Sequence, residues 1–452
     1  MCAKFIEVDR AAQYLFPPSI QDWLPEKHLA RFVVEIVEQL DLRALKDSYT
    51  CRGSQPYHPA MLLSLLFYGY ATGVFSSRKL ERSTHDSVAF RYIAANSHPD
   101  HDTIAQFRKR FLPQLSAIFV EILTIAQQMG VLKLGKVSLD GTKVKANASK
   151  HKALSYGHAC KLQTQLETEV AELLAQAEAA DQADIPDGMD IPTELAIRQD
   201  RIKAIKEAKA EIERRAAQRH EKEQEEYDRK CADRTKKERE TGRKPRGKQP
   251  KPPTAGPKKK DQVNLTDGDS RIMPTSAGGF EQTYNAQAGV DTETMLIVGN
   301  HLSQAPNDKQ EVEPALSKLT QLPAELGTIT GLLADNGYCS AANVTLCEDQ
   351  NITPYIAVKR EGHHQPIMER FKEPPPPPDG ADAVEVMKHR LKTQSGKAVY
   401  AKRKSSVEPV FGIIKAGMGF RQFLLRGLDA VKGEWELVCI AFNLKRLFVL
   451  AQ

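Results

Sequence analysis

The chain has 452 residues, 41% of them hydrophobic and 27% charged, with a formal net charge of +6. That length suits two or three globular domains with a sizeable core. No run approaches about eighteen uninterrupted apolar residues, and MCAKFIEVDRAAQYLF lacks the basic-then-apolar order of a signal peptide. The expectation is a soluble, cytoplasmic protein without a membrane partner. Seven cysteines are odd in number, scattered, and without zinc-type spacing, so they read as reduced thiols. Positive charge is concentrated locally, which makes nucleic acid the first partner to consider.

Residues 1–130 read as helical. Helices are expected over 27–46, over 59–71 with Pro59 at its start, after Ser76 and Ser77, over 86–95, and from Thr103 to Met129 with a break at Pro113. Basic residues on the short helices, among them Arg78, Lys79, Arg108, Lys109 and Arg110, fit a DNA-docking module. A helical domain with a solvated basic surface has the same spacing.

From Gly135 the period changes to two. GKVSLDGTKVKA reads as a strand that ends at Asp140 and turns at Gly141, although Asp-Gly is also a hairpin signal. Leu162, Leu166, Val170, Leu173 and Ala177 make one helical stripe, and Leu195, Ile202, Ile205 and Ile212 another. With DIPDGMDIP as the turn between them, they predict an antiparallel helical hairpin. Residues 221–260 carry KKERETGRKPRGKQPKPP and almost no large apolar side chain, so they are expected to be a mobile basic linker.

Strand-like runs then resume. FEQTYNAQAGVD and TMLIVGNHLS suggest a hairpin turning at 291–293, followed by a helix over 311–322. GTITGLLAD repeats the Asp140 context, an apolar run ending in Asp335. A helix over 340–350, a strand in ITPYIAVKR and an exposed proline-rich loop over 368–380 follow. In YAKRKSSVEPVFGIIKAGMG, helical spacing sets Lys404, Glu408 and Lys415 on one face and Val407, Val410, Phe411 and Ile414 on the buried one. Pro409 suits a first helical turn, which would leave Lys404 outside the helix.

A strand with Asp140, an insertion, two strands, a helix, a strand with Asp335, a helix, a strand and a helix with Glu408 is the order of an RNase H-like mixed sheet flanked by helices. The chain resembles bacterial insertion-sequence transposases of the DDE type, in the group with a Y-R-E-K signature. The likeness rests on SLDGTKVKANAS, NLTDGDSRIM, GFEQTYNAQAGVD and LLADNGYCS, and on Tyr400, Arg403, Glu408 and Lys415. HPAMLLSLLFYGYATGVFSSRKLE and HDTIAQFRKRF resemble the family's N-terminal helical domain. In the signature three residues separate Arg and Glu; Arg403 leaves four and Lys404 leaves three, so both bases stay open for the role.

The resemblance implies an α/β fold in three parts: a DNA-binding helical domain over 1–130, a catalytic domain over 131–158 and 262–452, and an inserted hairpin and linker over 159–261. It implies Asp140, Asp335 and Glu408 as catalytic metal ligands for two Mg2+ ions, with Mn2+ able to substitute. Two such ions roughly 3.5–4 Å apart stabilise the attacking and leaving oxygens of phosphodiester cleavage. Tyr400, Arg403 or Lys404, and Lys415 would flank the DNA. The implied partners are double-stranded element ends and target DNA, engaged by a homodimer near the nucleoid. A stand-alone RNase H-like nuclease or a non-catalytic DNA-binding protein shares many of these features. Asp267, Asp269 and Arg271 match a family motif and read as structural.

Overall fold

The computed structural model describes residues 19–49, 55–179, 191–243, 247–275, 278–358, 373–378 and 380–452. The N-terminal 18 residues, Cys51, most of the DIPDGMDIP turn and residues 359–372 lie outside them, as do the side chains of 176–179 with Ala177. By packing, the chain forms two compact units, Met1–Val144 with Tyr284–Gln452, and Lys145–Thr283.

The chain runs through α1 (Leu29–Gln39), α2 (Arg43–Asp47), α3 (Pro59–Thr72), α4 (Ser77–Asp86), α5 (Val88–Ile93), α6 (His101–Phe111) and α7 (Leu115–Gln128) into β1 (Leu134–Lys145). The second unit holds β2 (Ala153–Ser155), α8 (Tyr156–Ala179), α9 (Ile191–Thr241), β3 (Gln262–Asn264) and β4 (Arg271–Pro274). There follow β5 (Phe280–Asp291), β6 (Ile297–Ser303), α10 (Val312–Thr320), β7 (Gly327–Ala334), α11 (Ala341–Asp349) and β8 (Thr353–Ile356). The chain ends in α12 (Ala383–Lys392), α13 (Gln394–Gly412) and α14 (Leu428–Leu450).

The first unit is built on a mixed sheet in which β5, β1, β7 and β8 are successive neighbours and β6 pairs with β5. β1 is parallel to β7, and β7 to β8. β5 runs antiparallel to β6. With helices on the sheet, this is an α/β, RNase H-like architecture. Helix α14, for which no element was expected, lies against β6 and against α3 and α7. It is buried over most of its surface, Glu434, Glu436 and Asn443 included. Its few polar groups are satisfied. Trp435 Nε1 donates to the Gln287 carbonyl at 3.0 Å, and Asn443 bonds both backbone groups of Ile297 at 2.8 Å. Buried Glu434 accepts from Tyr70 Oη at 3.0 Å and from the amides of Leu424 and Leu425.

Several expectations change. Residues 27–46 form two helices, because Leu40 is extended and the Asp41 carboxylate accepts from the Arg43 amide at 3.0 Å, starting the second. β1 does not end at Asp140 but continues to Lys145. α13 starts fifteen residues before Pro409, under a Thr393 cap, so Tyr400, Arg403 and Lys404 are all helical and Pro409 is internal.

In the second unit, β2 and β3 pair antiparallel, with Ala153 opposite Asn264, and bring the ends of the insertion together. α8 and α9 pack as a hairpin whose core holds Leu166, Ile205, Ala208 and Ile212 with Leu154 and Val263; Leu162 and Ile202 flank it. The expected disordered basic stretch is helical as far as Thr241. Although 221–241 has no large aliphatic residue, its long Glu, Lys and Arg side chains favour helix and pair at i,i+4, as Lys230 does with Glu226 at 2.8 Å. Ile205→Asp would bury an unpaired charge in this core. Amide exchange should then show protection lost in α8 and α9 while β1, β7 and α14 stay protected.

Candidate active site

The parallel register pairs Val137 with Leu332 and Ser138 with Leu333. Counting on two residues sets Asp335, immediately beyond β7, beside Asp140. The Asp335 carboxylate accepts from the Gly337 amide at 2.7 Å, capping a single 3-10 turn. Gly141 is not a turn residue. An added Cβ there would lie 2.1 Å from Gln287 Nε2 and 2.8 Å from Asp308 Oδ1, so glycine is needed for the close approach of β5's side chains.

Those side chains hold a residue that sequence reasoning missed. Asp308 Oδ1 accepts from Asn285 Nδ2 and from Gln287 Nε2, both at 2.7 Å, and Lys143 Nζ stands 3.6 Å away. Gln287 is fixed in turn by the buried Tyr338 hydroxyl, which donates to its Oε1 at 2.5 Å. The other Asp308 oxygen faces the Asp335 turn: Asp308 Oδ2 and Asp335 Oδ1 both lie within 4 Å of the position a Cβ would take on Gly337. Asp308 follows no apolar run, so periodicity could not single it out. The only signal was its place in a short polar loop, SQAPNDKQE, just after a strand.

The third carboxylate arrives on α13. Arg403 Nη2 donates to Asp140 Oδ2 at 2.7 Å and its Nη1 donates to Glu408 Oε1 at 2.9 Å, so one guanidinium bridges the two acids. Its side chain is only 11% exposed, which makes these charge-assisted bonds strong ones. Lys404 points elsewhere and is exposed. Tyr400 is half-buried, and its hydroxyl pKa is raised by burial and, after the opposing effect of Arg403, by Asp335, Asp140 and Glu408. Lys415 lies in the π-helical turn Ile413–Gly417, where Nζ donates to Thr142 Oγ1 and, at 3.2 Å, to the Lys143 carbonyl. It ties α13's end to β1 two residues past Asp140, and burial lowers its pKa.

Burial pushes the Asp140 carboxyl up to about 6; Arg403 and the Gly141 amide oppose the rise, and the charges of Asp335 and Asp308 add to it. The unfolded value is about 3.9, so the folded protein binds this proton more tightly. The associated stability is fully present below about pH 4 and is lost as pH rises through about 6. In chelator, wild-type protein should therefore lose of order 3 kcal/mol across that window from this group. Thermal melts of Asp140→Asn should show a flatter pH dependence; an equal slope would mean that Asp140 is not the group responsible.

The basic residues of the N-terminal helices separate into two kinds. Arg78, Lys79, Lys109 and Arg110 are exposed. Arg108 is not, which corrects its assignment to DNA: it is 9% exposed, and its Nη1 donates to Tyr70 Oη at 3.2 Å and the Phe75 carbonyl at 3.0 Å. Arg110 lies over the Tyr49 ring at 4.8 Å. In the second unit Asp267 accepts from the Asp269 amide, and Arg271 closes the same turn through the carbonyls of Gly268, Asp269 and Ser270.

Asp140, Asp308, Asp335 and Glu408 offer only hard carboxylate oxygens, the donor type that divalent cations such as Mg2+ prefer. Among the described residues no three His, Cys, Asp or Glu side chains stand close enough together to hold a metal ion as they are placed. The cationic position between Asp140 and Glu408 is taken by the Arg403 guanidinium. The donor set thus fits a cation chemically.

Residues 18–110 match the transposase domain DUF772, and residues 253–444 match the transposase DDE domain. Asp308, Asp335 and Glu408 fall inside the second match, and Asp140 lies between the two. No curated protein and no solved structure matches the chain. Transposases of the DDE kind bind DNA and generally use divalent metal ions. With one transposase domain matched over the N-terminal helices and another over β3 to β8 and the helices that follow, the chain belongs to the DDE transposases of insertion sequences.

Proposed function

We propose that the protein binds the terminal inverted repeats of its own element, hydrolyses a phosphodiester at each end, and joins the freed 3′-hydroxyl to target DNA. The observation that carries this reading is the Arg403 bridge from Asp140 to Glu408, with Asp335 beside Asp140 by strand register. Asp140 on β1, Asp335 just past β7 and Glu408 on α13, 268 residues apart from first to last in the chain, have little structural reason to share one neighbourhood. Asp140, Asp335 and Glu408 would hold the divalent cations, two Mg2+ or Mn2+. When bound, these supply charge stabilisation at the attacking and leaving oxygens.

The chain's own residues do the rest. Arg403 takes the signature arginine's place, since it and not Lys404 touches Glu408. Asp308, locked by Asn285 and Gln287, orients the Asp335 side of the site and keeps the Lys143 ammonium beside it. Lys415 fixes the strand segment after Asp140 through Thr142, a positioning role instead of the direct DNA contact expected from helical spacing. Exposed Arg78, Lys79, Lys109 and Arg110 supply phosphate contacts for end binding. Two ends need two sites, which a homodimer provides. A nuclease acting alone would have no use for the N-terminal transposase domain.

Asp335→Asn should abolish cleavage of DNA carrying the element's ends and leave gel-shift affinity within about threefold. Asp308→Ala should lower cleavage at least tenfold, keep end binding, and raise the Mn2+ concentration needed for half-maximal cleavage. Equal loss of binding and cleavage in both variants would contradict these roles. Wild-type cleavage by Asp335→Asn would contradict the function.

A further inference from the structure

The Asp308 loop and the Asp335 turn come from different parts of the chain, the first joining β6 to α10 and the second joining β7 to α11. Glu311, 4% exposed, pins the loop to β6: its carboxylate accepts from Ser303 Oγ at 2.6 Å and pairs with His301 Nε2 at 2.8 Å. The crossing from the loop to the Asp335 turn is made by Asn343, in the first turn of α11. Its Nδ2 donates to the Tyr338 carbonyl at 2.7 Å and to the Lys309 carbonyl at 2.8 Å. At that position, three residues past the Ser340 cap, a capping-box side chain would turn back to its own helix. Asn343 instead gives both amide hydrogens to carbonyls outside it.

These bonds close a ring. Asp308 Oδ1 accepts from Gln287 Nε2, Gln287 Oε1 from the Tyr338 hydroxyl, and the Tyr338 carbonyl from Asn343, which returns to Lys309, the neighbour of Asp308. Gln287, Tyr338 and Asn343 are all buried. A closed ring of buried bonds allows less play than an open chain of them, because no member moves without straining the others. What the ring spans is the gap between Asp308 and Asp335, whose Oδ2 and Oδ1 approach the same point beside Gly337.

Resting on the function proposed above, we infer that Asn343 is a positioning residue for DNA cleavage: it sets the gap between Asp308 and Asp335, and with it the affinity of the site for divalent cations. Its own bonds go to backbone carbonyls and not to the acids, so it acts through them. Mg2+ demands near-ideal octahedral geometry and tolerates little movement of the oxygens around it. A gap free to wander therefore weakens cation binding and slows cleavage, while the surface that binds the DNA ends is untouched.

The test compares full-length wild type with Asn343→Ala and with Tyr338→Phe, which opens the ring at another joint and carries the comparison should Asn343→Ala not fold. In protein free of metal and DNA, amide exchange over 303–311 and 335–339 should speed up about tenfold or more in either variant, with β1 and β5 still protected. Mn2+ binding should weaken about tenfold in each single variant. The double variant should fall well short of the roughly hundredfold loss that independent supports would give, since a ring already open loses little by a second break. With DNA carrying the element's end, kcat should drop about tenfold at fixed Mn2+ and KM for the end should hold. Wild-type exchange and Mn2+ affinity in the variants, with ends still cut, would overturn the positioning role and leave the function standing; fully additive losses would overturn the ring. Failure of wild type to cut its ends would overturn the proposed function and the role that rests on it.

Discussion

A carboxylate buried at the middle of a sheet must find a counter-charge or give up its own, and Arg403 supplies that counter-charge to Asp140. The same guanidinium reaches Glu408, so the position of α13 against the sheet follows from where Asp140 lies on β1. Breaking one arm would leave a buried charge uncompensated, which costs far more than an exposed ion pair is worth. Glu408, about half exposed, keeps a face open to solvent. The bridge thus holds two acids close while they would otherwise repel, and occupies the place where a cation is expected to act.

Behind the acids, α14 fixes the part of the sheet that supports them. Trp435 bonds the backbone of Gln287, whose side chain carries Asp308 on one amide hydrogen and receives the Tyr338 hydroxyl on its oxygen. Asn443 straps β6 in the same manner. Glu434 bonds α3 and the turn before α14. A chain of satisfied buried groups therefore runs from the N-terminal helices to Asp308. Each of its links would leave an unpaired buried donor or acceptor if removed. Such networks rigidify the part of the sheet beneath the acids.

Much of this was legible in sequence. Asp335 closes an apolar, strand-like run, Asp140 follows Val137 and Leu139 on a strand that runs on past it, and Glu408 sits on a helix whose apolar stripe is plain. The two stripes of the hairpin, Leu162 and Leu166 against Ile202, Ile205 and Ile212, also appear in its core. What could not be read depends on distant partners. Gly141 looks like a turn residue until Gln287 is seen above it, and Asp308 is one more loop acid until Asn285 and Gln287 are found bonding it. Arg108 shares its surroundings in sequence with exposed Lys109 and Arg110, and only the fold turns it inward to Tyr70. The length of α9 was missed for a different reason: composition reports the burial a segment can achieve, whereas i,i+4 ion pairs support a helix without any.

We propose that Asp140 and its neighbouring acids form a cation site in which the Arg403 guanidinium stands. The most direct test is a Mn2+ titration of the DNA-free protein followed by electron paramagnetic resonance. Wild type should bind Mn2+, Asp140→Ala should lose that binding, and Arg403→Gln should bind more tightly because the competing guanidinium is gone. Unchanged binding in Asp140→Ala, or weaker binding in Arg403→Gln, would contradict the account.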